Sequence, residues 1–256
     1  MVVIVKILFI LFFYCSICLG FDQSSSLFQP VSNIEETIHR FAGLKDHFYK
    51  KNDHRLIFTE IYLEVTKLIN SELLLKKFDN PEWVNLIVSE FGNYYISALR
   101  NFERGEYRKV PSPWLTSFKI NQKATYKVSA QLLLAMNGHI FYDLPHSLKN
   151  TFNMGFSPEV VKRDYFYLNQ MFEDKVPSIN LLLKKQHEYL YPNNKGIKDY
   201  LALKILKSMR EKAWRFGLGL NSRYAVKRLN TNIEIAKTCK DNANYLLRGH
   251  FLIPSY

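Results

Sequence analysis

Apolar residues recur along this chain at the three- and four-residue intervals of helices, and no stretch alternates convincingly in the two-residue rhythm of a strand. Ile34, Ile38, Phe41, Leu44 and Phe48 make the first stripe, behind a Ser-Asn-Ile-Glu start with the pattern of a capping box. Asp53 starts a second, carrying Ile57, Ile61, Val65, Leu68 and Ile69. Asn-Pro-Glu at 80–82 supplies a cap and a first-turn proline for a third. Its apolar side is Trp83, Ile87, Phe91, Tyr94, Tyr95, Ala98 and Phe102, and Gly105 closes it. Val-Pro-Ser-Pro-Trp (110–114) turns into a short helix. A run at about 125–144 follows, nearly all apolar from Leu132 onward. Pro145 is expected to stop it, because the residue before a proline resists helical torsions.

Ser-Pro-Glu at 157–159 opens a helix to about residue 172, and Pro177 restarts one to about 191. Asn-Asn-Lys-Gly (193–196) reads as a loop. Two basic helices at about 197–216 and 222–247 finish the chain. The fold expected is all-α: a single domain of about eight helices in a bundle-like globular array.

The first twenty residues stand apart. Lys6 precedes an apolar run from Ile7 to Phe13 that continues through Cys15, Ile17, Cys18 and Leu19 to the small Gly20. That is the build of a secretory signal peptide, and the flank beyond it has no stop-transfer charge. The expected organisation is a signal peptide at 1–20, a lead-in with an N-terminal helix at 21–54, and a helical domain at 55–254. The mature protein is then secreted, extracellular or luminal, with no stable transmembrane segment. About 236 residues remain, enough for a sizeable core. Only Cys239 of the three cysteines is left, so no intramolecular disulfide forms. No Asn-x-Ser/Thr sequon occurs.

The net charge of +12 is unevenly spread. Residues 21–183 hold 19 Lys and Arg against 18 Asp and Glu, whereas residues 184–248 hold 15 against 5. A surplus of +10 in the last third favours an anionic partner: a small molecule, a lipid headgroup or a glycan. Lys204, Lys207 and Arg210 are among the cations that would meet it. Tyr and Phe sit at helical spacing and read as core, which disfavours nucleic acid.

Candidate chemistry centres on Asn137, His139 and Asp143, polar residues inside the apolar run at 132–145. Burying such groups unpaired costs roughly 2 to 7 kcal/mol each. His139 and Asp143 are four apart and share a helical face. A carboxylate there can orient an imidazole, both can ligate one ion, or the two can simply tie helices together. Asn137 falls on another part of the circumference. Asp164 and Asn169 interrupt a second apolar run, and Asp164 is the best outside partner for His139. Glu60 and Glu64 read as surface carboxylates. Arg-Glu-Lys-Ala-Trp-Arg (210–215) offers Arg210 and Trp214 to an anion or a ring, or is a core Trp with snorkelling cations. Cys239 reads as a buried, inert thiol.

The segment Met-Asn-Gly-His-Ile-Phe-Tyr-Asp-Leu-Pro (136–145) resembles the Met-Asn-x-His-Ile-x-x-Asp-Leu-Pro signature of an uncharacterised, mainly actinobacterial family. Phe-Thr-Glu-Ile-Tyr-Leu-Glu-Val-Thr (58–66), Asp-Tyr-Phe-Tyr-Leu-Asn (164–169), Arg-x-x-Ala-Trp (210–214) and the closing Leu-Arg-Gly-His-Phe-Leu-Ile-Pro match in the same order. The resemblance implies a helical domain over roughly 55–254 with His139, Asp143 and Asp164 as its polar positions, and it implies no activity. A fainter similarity, on His-Ile-Phe-Tyr-Asp-Leu-Pro-His (139–146), is to zinc-dependent phospholipase C and related nucleases. That family needs several such pairs and an N-terminal Trp, which this chain lacks.

Two readings stay open. In one the protein is a metal-assisted hydrolase of an anionic, phosphate-ester-like substrate. His139 and Asp143 are then catalytic, Asp164 joins them on a divalent ion, and Asn137, Asn169 and Trp214 touch the ligand. In the other it is a non-catalytic secreted protein that binds anionic lipid, glycan or an apolar ligand, with His139 and Asp143 as a structural pair.

Overall fold

The structure is a computed structural model that describes residues 26–121, 128–186 and 199–248. Its helices are α1 (Ile34–Lys50), α2 (Arg55–Leu74), α3 (Pro81–Glu103), α4 (Ser112–Asn121), α5 (Val128–Gly138), α6 (Leu144–Asn153), α7 (Pro158–Gln186), α8 (Asp199–Leu220) and α9 (Ala225–Leu247). A π-helical turn (His139–Asp143) joins α5 to α6 without a break, and a 3-10 turn (Tyr107–Lys109) precedes α4. No strand occurs among the described residues, so the all-α expectation holds.

Local chemistry sets the helix starts. The Asn33 side chain accepts the Glu36 N–H at 2.8 Å, and the Glu36 carboxylate takes the Ser32 N–H at 2.9 Å, a reciprocal cap. The third helix departs from expectation: Asn80 forms no side-chain cap of its own. Asp164, reaching across from α7, accepts the N–H groups of Asp79 (2.9 Å) and Asn80 (2.7 Å) and the Asn80 side-chain amide (3.0 Å). A carboxylate at a helix N-terminus meets unpaired donors and the positive end of the dipole. At the far end of α3, Gly105 adopts φ +71°, which favours glycine there.

Both proline expectations need correction. Pro145 does not stop the focal helix. The chain switches to π geometry one turn earlier, where the Leu144 N–H bonds the His139 carbonyl, and Pro145 falls in the first turn of α6. A proline has no N–H to give and is tolerated in a first turn, so the register shift absorbs it. Pro177 does not divide α7, which runs unbroken from Pro158 to Gln186. The expected signal peptide at 1–20, the start of the focal helix at residue 125 and the loop at 193–196 lie outside the described residues.

Helix α1 lies against α2, α4 against α5, α6 against α8, and α9 against both α8 and α5. Among the described residues they enclose four apolar clusters, three larger ones and a small one of Ile120, Leu134 and Ala243. Phe41, Leu44, Phe48, Phe58, Tyr95 and Trp114 anchor the first. Trp83, Leu148, Val161, Tyr165 and Trp214 anchor the second, and Phe216, Leu220, Ile235 and Cys239 form the third. The rod through the π turn touches all three larger ones: Ala135 belongs to the first, Ile140 and Leu144 to the second, Phe141 to the third. The widened turn lets successive residues face different clusters, and it leaves His139 and Asp143 in the middle of the molecule.

Candidate functional site

His139 and Asp143, both on the π turn, are held together in the core. His139 Nδ1 lies 3.2 Å from a carboxylate oxygen of Asp143, and the pair is 6 % and 0 % exposed. From α4, the indole N–H of Trp114 reaches the same carboxylate, 2.8 and 3.0 Å from its two oxygens. Gly138 allows this approach, since a Cβ there would stand 3.3 Å from the Trp114 ring. Phe91 stacks on the imidazole with centroids 3.4 Å apart, and Phe58 and Tyr62 meet it edge-on at 5.1 and 4.9 Å. The Nε2 atom is buried and has no hydrogen-bond partner among the described residues.

Burial decides the charge state. It holds the Asp143 carboxyl well above the usual carboxylate range, against the opposing pull of the Trp114 N–H. Burial also holds His139 well below its ordinary value, and the nearby Arg210 charge adds to this. Both directions favour neutral forms. The Asp143 hydroxyl then donates to Nδ1, the Trp114 N–H is shared between the two carboxyl oxygens, and Nε2 carries the imidazole hydrogen among the aromatic rings. This arrangement joins α4 to the centre of the fold and is buried. Cys239 packs nearby, and burial pushes its thiol up to about 12, as expected for an inert cysteine.

The other expected site residues are dispersed. Asn137 clasps α5 to α9: its amide donates to the Cys239 carbonyl at 2.9 Å and its oxygen accepts from Asn242 at 3.1 Å. Asp164 is engaged at the start of α3. Asn169 accepts the Arg210 Nε–H at 2.6 Å. Trp214 is 6 % exposed and packs on Tyr165 and Phe152. Among the described residues no group of three or more His, Cys, Asp or Glu side chains could hold a metal ion, so His139, Asp143 and Asp164 do not assemble as one ligand set. Glu64 pairs with Lys67, but Glu60 is buried rather than a surface carboxylate.

Trp114, Phe58, Tyr62 and Phe91 are not apparent from the sequence as partners of His139. They lie 25 to 81 residues away from it, at core positions like any other aromatic. A cavity of about 10 Å³ opens on the far side of Trp114, among His54, Gln131, Ser117 and Phe118. That is room for about one water molecule, and neither Asn137 nor His139 lines it.

The basic surplus sits differently from expectation. Lys207 is paired with Glu173 at 3.1 Å and Arg210 is buried, while the Lys204 side chain lies outside the described residues. On α9, by contrast, Lys227, Lys237 and Lys240 are exposed and have no ion pair among the described residues. Val226, Leu229 and Ile233, spaced to share one face, are 69, 60 and 59 % exposed. Lys237 and Lys240 continue that same line toward the C-terminus. No described helix is long and apolar enough to cross a membrane.

The model of a family of unknown function matches residues 34–249, from the first residue of α1 to just beyond α9. No curated protein and no solved structure matches the chain.

Proposed function

The chain belongs to that family, DUF5995, and since the family lends it no activity we propose a role from geometry: a non-catalytic protein that docks on anionic phospholipid surfaces through the outer face of α9. His139 and Asp143 serve in it as a structural pair. The observation that carries this reading is the α9 face itself, an exposed aliphatic row running into exposed lysines. A helix with apolar residues on one line and cations beside them lies in the headgroup region, its aliphatic chains reaching the acyl boundary. Each Lys or Arg near an anionic leaflet contributes about 1 kcal/mol. The burial of the pair supports the structural role, since both side chains are hydrogen-bonded to each other inside the core. The extracellular or luminal location expected from residues 1–20 belongs to the same proposal.

Co-sedimentation with vesicles of phosphatidylcholine, alone or with about one-third phosphatidylserine, tests it. Binding is expected only with the anionic lipid and should weaken as salt rises, because exposed charges are screened over about 10 Å at 0.1 M. Lys237→Glu combined with Lys240→Glu should cost at least about tenfold in affinity on the per-lysine contribution above. Leu229→Asp should also weaken binding. Equal binding to both vesicles, or binding that ignores all three changes, refutes the reading.

A further inference from the structure

We propose that Arg210 and Asn169 form a binding site for a small free oxyanion, a carboxylate or a phosphate, between α8 and α7. Two arginines are buried among the described residues, and they are treated differently. Arg55, 7 % exposed, is fully compensated: its guanidinium meets the Asp53 carboxylate through Nε and Nη2 and the Glu103 carboxylate through Nη1, at 2.6 to 3.0 Å. Arg210, 6 % exposed, has no carboxylate partner among the described residues. The hydrogen bond its guanidinium makes there is from Nε to the Asn169 oxygen, and its remaining support is aromatic, with Phe172 at 4.6 Å and Tyr165 at 5.3 Å from the guanidinium carbon. Three acids of α7 are committed elsewhere. Glu173 pairs with Lys207, Asp164 caps α3, and Asp174 accepts from Gln170.

A buried cation without a counter-charge is strongly unfavourable, and a guanidinium does not escape by losing its proton at neutral pH. The second observation lies beside it. Asn169 is 4 % exposed and its Nδ2 is buried with no partner among the described residues. Its orientation is fixed, because Arg210 only donates and the amide must therefore turn its oxygen to Nε. The unmet Nδ2 donor and the uncompensated guanidinium thus stand side by side. An oxyanion satisfies both: its oxygens accept from the Arg210 fork and from Nδ2, in the geometry that guanidinium offers carboxylate and phosphate. This site is separate from the α9 face.

Thermal unfolding of the full chain at matched ionic strength tests the proposal, comparing chloride with acetate and with inorganic phosphate. Acetate or phosphate should raise Tm by several degrees over chloride, since a ligand that binds only the folded state stabilises it. Asn169→Asp supplies an internal carboxylate to Arg210 and removes the Nδ2 donor. It should raise Tm in chloride and abolish the anion-dependent increment. Any general salt effect on hydration persists in this variant, so the difference between the two proteins reads the site alone. Equal increments in wild type and Asn169→Asp overturn the proposal, as does the absence of any increment in wild type. Vesicle binding by Asn169→Asp should be unchanged. Its loss would make the anion a lipid headgroup and overturn the assignment to a free oxyanion, whereas failure of vesicle binding in the wild type touches only the α9 reading.

Discussion

Replacing Asp143 by Asn should leave the protein no less stable at acid pH and make it more stable at neutral pH. In the native core the carboxyl is held well above its ordinary range by burial, so it stays protonated while the same group in the unfolded chain ionises above its ordinary value of 3.8. For a raised carboxyl the sign is fixed: its contribution to stability is complete below the unfolded pKa and is lost as pH rises toward the folded one. Each pH unit in that window costs about 1.4 kcal/mol, so between about pH 4 and pH 7 the loss is at most about 4 kcal/mol. Asn at this position keeps one contact to each partner: its oxygen accepts from the Trp114 indole at the Oδ1 position and its amide donates to His139 Nδ1, giving up only the indole's second contact at the Oδ2 position. It does not titrate.

Urea unfolding of both proteins across that range is the assay, and the difference in stability between them is the readout. His139 titrates in both proteins and its contribution largely cancels. The difference should grow in favour of the Asp143→Asn protein as pH rises. If that variant is instead less stable by about 2 kcal/mol or more at pH 7, with a difference that does not depend on pH, the pair is a buried ion pair and the neutral assignment fails. Breaking a buried ion pair by removing one charge costs about 3 to 5 kcal/mol, so the two outcomes are far apart.

Other substitutions address the frame around the pair. Asp164→Ala removes the cap that α7 provides to α3 and should cost about 1 to 2 kcal/mol by chemical denaturation, with Asp164→Asn recovering part of it. Gly219→Ala places a Cβ against the Thr231 side chain where α8 meets α9 and should cost about 1 to 3 kcal/mol. The double variant with Thr231→Ala should be less damaged than the sum of the singles, and strict additivity would show that the two do not collide.

The helical stripes are legible in the sequence because amphipathic periodicity is a local property. Ile34 to Phe48 and Trp83 to Phe102 face the core as their spacing requires, and the caps at Ser32, Asn33 and Gly105 act within a few residues of themselves. The prolines are not legible in the same way. A rule about the residue before Pro145 says nothing of a register shift one turn upstream, which sends Ile140 and Leu144 into one cluster and Phe141 into another. The polar residues at 137, 139, 143, 164 and 169 stand out as anomalies in apolar runs, and each is buried. Their partners are not legible. Trp114 lies 29 residues from Asp143, the start of α3 lies 84 residues from Asp164, and only the folded chain brings them together.

Helix α9 carries aliphatic residues on both sides, so its sequence alone does not say which side faces inward. The structure buries Thr231, Ile235, Cys239 and Ala243, one stripe at four-residue spacing made largely of small side chains. Small residues let α9 approach α8 and α5 closely, and the Asn137 clasp then fixes its rotation. A helix held this way has no folding need for Val226, Leu229 and Ile233 on its outside, where together they expose a contiguous row to water. Scattered exposed aliphatics are ordinary on a protein surface, but a row at helical spacing, flanked and extended by exposed lysines, is the kind of surface the proposed docking would use. On the proposed docking reading, the inner stripe fixes the orientation of α9 beforehand, so docking would cost the helix little further ordering and would bring the row and the lysines to a planar anionic surface together.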